Sequence, residues 1–153
     1  RLVHGDIGQD LAVNLDTGLV QTVDEHRIGH AFEASRGVDE LDKKQFDQEV
    51  VTEFITGCLM LFDKQVLDRI GYWNESYFLY YEDADYCERA KRAGLTLLYD
   101  PRIVIWHMTS QSTGGSGSGL HRNYQRKNLV KFALKYAPWR TKFHVMKSYL
   151  LGI

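Results

Sequence analysis

Tyr77-Phe78-Leu79-Tyr80-Tyr81-Glu82-Asp83-Ala84-Asp85 sets four aromatic rings directly against three carboxylates. The acids open a helix expected over 82–93, where the positive end of the helix dipole favours negative charge. Arg89, Lys91 and Arg92 fall where that dipole turns negative, and Gly94 supplies a C-terminal stop. Three carboxylates within four residues still repel one another. Ordinary helix capping is one account of them; a bound cation or a basic neighbour is another. The rings also admit two readings. Trp73, Tyr77, Phe78, Tyr80 and Tyr81 can form core, or they can offer ring faces and hydroxyls to a sugar.

Upstream, Phe54-Ile55-Thr56-Gly57-Cys58-Leu59-Met60-Leu61-Phe62 is apolar and short, which reads as a buried strand. Gly57 inside it points to a close approach of backbone or ligand. Asp63 reads as the N-cap of a helix over 64–70, closed by Gly71. Earlier still, 11–15 and 19–23 flank Asp16-Thr17-Gly18 as a hairpin, and 24–49 is polar, a long loop with a short helix near 39–48.

Downstream, 95–99 reads as a strand that Asp100-Pro101 breaks, with a second strand over 103–107. Residues 113–119 are a Gly/Ser-rich flexible loop. Helical sequence follows over 121–136, Pro138 ends it, and a last short helix over 139–151 carries Trp139, Phe143, Met146, Tyr149 and Leu150 on one side.

The 153 residues suffice for one domain, and 44% hydrophobic with 25% charged residues is ordinary for a globular chain. No run of 18 apolar residues is present, so no membrane-spanning helix is expected. The first residues do not resemble a signal peptide, and without an initiator Met the chain is expected to begin inside a longer one. Cys58 and Cys87 lack metal or redox spacing and read as two reduced, buried thiols. The net charge of −1 conceals a division: residues 1–100 hold ten Lys/Arg against twenty Asp/Glu, whereas 101–153 hold nine Lys/Arg and no acid. The basic third either meets an anionic partner, such as phosphate or a lipid surface, or packs on the acidic part of its own fold. No nucleic-acid motif accompanies the charge.

Asp83-Ala84-Asp85 spells D-x-D, a pattern tied to metal-bound nucleotide sugars. On a helix, positions i and i+2 point about 200° apart, so the two carboxylates are not expected to grip one ion. His107 ends a strand beside the glycine-rich loop, either as a structural histidine or as a metal ligand.

Thr56-Gly57-Cys58, then 71–78 (Gly-Tyr-Trp-Asn-Glu-Ser-Tyr-Phe), 81–90 (Tyr-Glu-Asp-Ala-Asp-Tyr-Cys-Glu-Arg-Ala), Ala93-Gly94, Tyr99-Asp100-Pro101 and His107 together resemble the C-terminal half of family 2 glycosyltransferases. The rhamnosyltransferase-like enzymes of bacterial polysaccharide assembly are the most similar in pattern. The resemblance implies an α/β fold: a partial GT-A-like mixed sheet with flanking helices, C-terminal half only. Residues 1–112 would be the acceptor-side part, 113–119 a flexible loop and 120–153 a basic helical segment.

It also implies roles. Asp83 matches the general base of an inverting transfer from a nucleotide-sugar donor to a glycan or lipid-linked acceptor. Glu82 would orient that base or bind acceptor hydroxyls. Thr56 and Gly57 match a segment near the acceptor site, with Trp73 and Tyr81 beside it, and His107 matches a ligand of a divalent Mg or Mn ion. Tyr124-Gln125-Arg126-Lys127-Asn128 resembles a Tyr-x-x-Arg-Asn element that would contact the donor diphosphate through Tyr124, Arg126 and Lys127. Lys127 stands where arginine is usual and lacks its bidentate fork.

The family's nucleotide-binding half is missing: no phosphate-cradling glycine loop precedes residue 50. The chain by itself is therefore expected not to turn over substrate. Its setting would be cytoplasmic, peripheral at the inner face of the plasma membrane. The alternative is a non-catalytic module that binds glycan or membrane.

Overall fold

A computed structural model describes residues 18–23, 43–104 and 118–152. Four strands form one mixed sheet in the order β2-β4-β1-β3. β1 (Gly18–Val23) runs parallel to β4 (Thr96–Val104) and antiparallel to β3 (Met60–Phe62), while β2 (Val50–Val51) pairs antiparallel with β4. The flanking helices are α1 (Lys64–Ile70), α2 (Glu82–Arg92), α3 (Gly119–Tyr136) and α4 (Trp139–Leu151). A mixed sheet with flanking helices is the α/β arrangement expected of a partial GT-A-like fold.

The helix signals in the sequence operate as capping chemistry. Asp63 Oδ1 accepts the Gln65 N–H at 2.8 Å, and Gly71 closes α1 with φ of 75°. Ser118 caps α3 through a bond from the His121 N–H at 3.1 Å, so that helix begins at Gly119, inside the stretch expected as loop. Pro138 separates α3 from α4.

Three expectations differ from the structure. The two strands expected around Asp100-Pro101 form one strand, β4. Its register against β1 shifts between the Gln21–Tyr99 and Val23–Val104 pairs, so the proline sits in a bulge, a place where a missing N–H is tolerated. Asp100 accepts the Arg102 N–H at 2.9 Å across that bulge. The strand expected over 54–62 shrinks to Met60–Phe62, because the Ile55 N–H is given to Cys87 Sγ of α2 at 3.3 Å and not to the sheet. The helix expected near 39–48 does not form over 43–48, where Lys44 takes a left-handed φ of 71°. The first arm of the expected hairpin, His107 and residues 113–117 lie outside the described residues.

α2 divides the core. Tyr86, Cys87 and Ala90 pack with Ile55, Val66 and Leu97 on the side of the sheet and α1. Ala84 packs with Tyr77 and Phe132 on the side of α3. Both cysteines are reduced; Cys87 is buried and Cys58 half-buried. Among the described residues no helix is long and apolar enough to cross a membrane.

Candidate functional site

The chain enters α2 through an unusual turn. Tyr80 and Tyr81 both adopt left-handed backbone, with φ of 65° and 71°. For residues with side chains that conformation costs about 1–2 kcal/mol each. No side chain caps the helix start. Asp83, one turn position further, sends its carboxylate to two backbone donors: the Gly57 N–H at 3.0 Å and the Ala84 N–H at 2.7 Å. A Cβ on Gly57 would stand 3.4 Å from Asp83 Cβ, which is the close approach that the glycine suggested. Thr56, beside it, donates its hydroxyl to Cys58 Sγ at 3.4 Å.

Burial pushes the Asp83 carboxyl above the usual carboxylate range even though the Gly57 and Ala84 N–H groups oppose it. Glu82 is also raised, first by burial and then by the Asp83 charge. Its Oε2 is buried and finds no hydrogen-bond partner among the described residues. Burial, with Asp83 nearby, lifts the Tyr81 hydroxyl to about 12, so it is a neutral donor at any physiological pH. Two coupled carboxyls, one with an open oxygen, beside a neutral phenol form a group that can accept a proton from a hydroxyl.

Asp85 is different. It is fully buried and accepts from Lys135 Nζ at 2.7 Å, Tyr136 OH at 2.7 Å and Arg89 Nε at 2.9 Å. Burial alone would raise it, but these three donors outweigh burial and hold it below the usual range. It is thus the tie between α2 and α3, a larger role than support of the helix start. Asp83 and Asp85 serve different partners, as the 200° argument from the helix requires. Among the described residues no three His, Cys, Asp or Glu side chains converge as metal ligands.

The structure brings Glu82, Asp83, Gly57, Thr56 and Tyr81 together. Trp73 belongs to a different cluster: its ring stacks on Tyr86 at 4.5 Å and meets Phe62 at 5.4 Å. Tyr124 reaches the aromatic turn by its contact with Phe78 at 5.4 Å. Arg126 and Lys127 lie on other faces of α3 and are exposed, with Arg126 over the Tyr149 ring. Sequence reasoning misses what Asn128 does. Its Nδ2 donates to Leu79 O at 2.7 Å and Tyr80 O at 3.0 Å, the two carbonyls of the left-handed turn. The available signal was an asparagine, a poor helix former, in mid-helix.

Comparison with known proteins now bears on this geometry. The family model described as "Glycosyltransferase like family 2" matches residues 12–126. The chain is 42% identical over 41 residues to the low-salt glycan biosynthesis hexosyltransferase Agl10 of Haloferax volcanii, covering 27% of this chain and 13% of that enzyme. It is 24% identical over 86 residues to the N-acetylglucosaminyl-diphospho-decaprenol L-rhamnosyltransferase of Mycobacterium tuberculosis, covering 56% of this chain and 28% of that enzyme. The match therefore takes in a minor part of each relative's length. No solved structure matches significantly. With the family match spanning more than half its length, and with the paired carboxyls at the head of α2 inside it, this chain belongs to glycosyltransferase family 2.

Proposed function

We propose that this chain is the acceptor-side part of an inverting glycosyltransferase that moves a sugar from a nucleotide-sugar donor to a glycan or lipid-linked acceptor in cell-surface polysaccharide synthesis. The observation that carries the reading is Asp83, held against the Gly57 N–H at 3.0 Å beside the open Oε2 of Glu82. Asp83 takes the proton of the acceptor hydroxyl as that oxygen bonds to the anomeric carbon. The bond from that carbon to the diphosphate oxygen breaks, the nucleoside diphosphate leaves with its electron pair, and the carbon inverts. The raised affinity of Asp83 for a proton suits it to this step. Glu82, raised more by burial than by its neighbour, hydrogen-bonds the acceptor. Tyr81 offers a neutral hydroxyl to the same sugar, with Thr56 close by.

Tyr124 would face the donor diphosphate from α3; Arg126 and Lys127, on other faces of that helix, would contact it only where it runs past the outer side of α3. A divalent Mg or Mn ion would neutralise charge on that diphosphate. His107, itself outside the described residues, would be one of its ligands, and no step above depends on the ion. The working location is cytoplasmic, against the inner face of the plasma membrane.

The test is transfer of a labelled sugar from a panel of nucleotide sugars to a polyprenyl-diphosphate-linked acceptor by the complete enzyme. The product's anomeric configuration is then read by NMR. Inversion agrees with a single displacement assisted by one base; retention, or hydrolysis without transfer, would overturn the proposal.

A further inference from the structure

α3 presents one continuous stripe to the segment that precedes and opens α2. His121 meets the Tyr80 ring at 4.8 Å, Tyr124 meets Phe78 at 5.4 Å, and Phe132 meets Tyr81 at 5.7 Å. Lys135 reaches Asp85 at 2.7 Å. These positions recur every three to four residues, the spacing of one helix face. Asn128 stands in the middle of the stripe and is 1% exposed. Both of its partners are carbonyl oxygens, so the donor is the amide nitrogen. The two carbonyls flank Tyr80, and the bonds to them fix that residue's backbone directly. A left-handed pair of tyrosines has no intrinsic reason to persist. Something in the fold must hold it, and the Asn128 amide is a buried donor aimed at it.

We infer that Asn128 is a positioning residue: it locks the Tyr80–Tyr81 turn, and through that turn it sets Asp83 against the Gly57 N–H. The inference rests on the reading of Asp83 as the base, but its geometric half can be measured without it. If the lock opens, the turn relaxes toward right-handed or extended backbone. The first residues of α2 then re-aim, and the Asp83 carboxylate leaves Gly57. Asp85 does not share this fate, since Lys135, Tyr136 and Arg89 hold it independently.

The experiment pairs amide hydrogen exchange with transfer kinetics in Asn128→Ala and the near-isosteric Asn128→Asp. The Gly57 amide is the reporter; Leu97 and Ala90 are the controls in the core. Expected is exchange at Gly57 accelerated at least about tenfold, with the controls unchanged. In the complete enzyme kcat falls by a similar factor with the donor KM unchanged. Tyr80→Gly added to Asn128→Ala restores both, because glycine enters left-handed backbone without penalty. Unchanged Gly57 protection, loosening of Leu97 and Ala90 alongside it, or no restoration by Tyr80→Gly would each overturn the inference. If exchange at Gly57 rises and kcat does not fall, the lock stands and the assignment of Asp83 as base fails, which separates the two claims.

Discussion

Asp83 and Asp85 are the same residue type two positions apart, and the fold drives their acidities in opposite directions. The consequences for stability are opposite too. Asp85 has a lowered folded pKa, so its contribution is present above the ordinary aspartate range and is lost as pH falls through its folded value. Asp83 and Glu82 have raised folded values, so their contribution is present when they are protonated and is lost as pH rises through those values. At neutral pH, Glu82→Gln therefore raises the Tm of the chain, while Asp85→Asn lowers it; thermal melts of the two variants at pH 7 check the signs. The last change costs about 3 kcal/mol, the low end for a broken buried ion pair, since Lys135 can turn to solvent. A site that destabilises its own fold in its working ionisation state is what function, rather than packing, selects. At this scale the sequence put Asp83 at the start of α2 and signalled a close approach at Gly57, which Asp83 makes. It was uninformative about Asp85, because two of its three partners, Lys135 and Tyr136, come from 50 and 51 residues away.

Elements with local signals were legible. α1 carries its Asp63 cap, α2 its acidic start and basic end, and α4 its Pro138 start and apolar side, and all three fall where those signals put them. The misreadings occur where a tertiary contact overrides the local pattern. Pro101 suggested a strand end, but a bulge absorbs it within β4. The apolar run over 54–62 suggested one long strand, but α2 claims its first half through Cys87. α3 has a third kind of signal: its inward face is mixed, with His121, Asn128 and Lys135 beside Tyr124 and Phe132, so apolar periodicity understates how much of it is engaged. Phe132 is 6% exposed and packs on Tyr81 and Tyr136. Phe132→Ala is expected to cost about 3–5 kcal/mol in a urea melt. It should also accelerate exchange across the start of α2, with β4 less affected.

For the molecule as a whole, the division of charge has found part of its partner inside the fold. Lys135 neutralises Asp85 at 2.7 Å, and Arg102 lies 3.8 Å from Glu49. The rest of the basic third remains on the surface with α4. There Trp139, Phe143 and Leu150 are each 70–76% exposed and lie on one side of a helix that also carries Arg140, Lys142 and Lys147. That combination of aromatic and aliphatic side chains with cations suits an anionic bilayer surface. Sedimentation with phosphatidylglycerol vesicles should retain the chain at low salt and release it at high salt. Trp139→Ala with Phe143→Ala should weaken binding at least about tenfold, and equal binding to neutral vesicles would contradict the electrostatic half of the proposal.

The central claim is that Asp83 takes the proton from the acceptor. Single-turnover transfer by the complete enzyme carrying Asp83→Asn tests it most directly, with donor binding measured in parallel. The account predicts a loss of about 10²–10⁴ in rate with donor affinity preserved; transfer within a few-fold of the unmodified enzyme would contradict it.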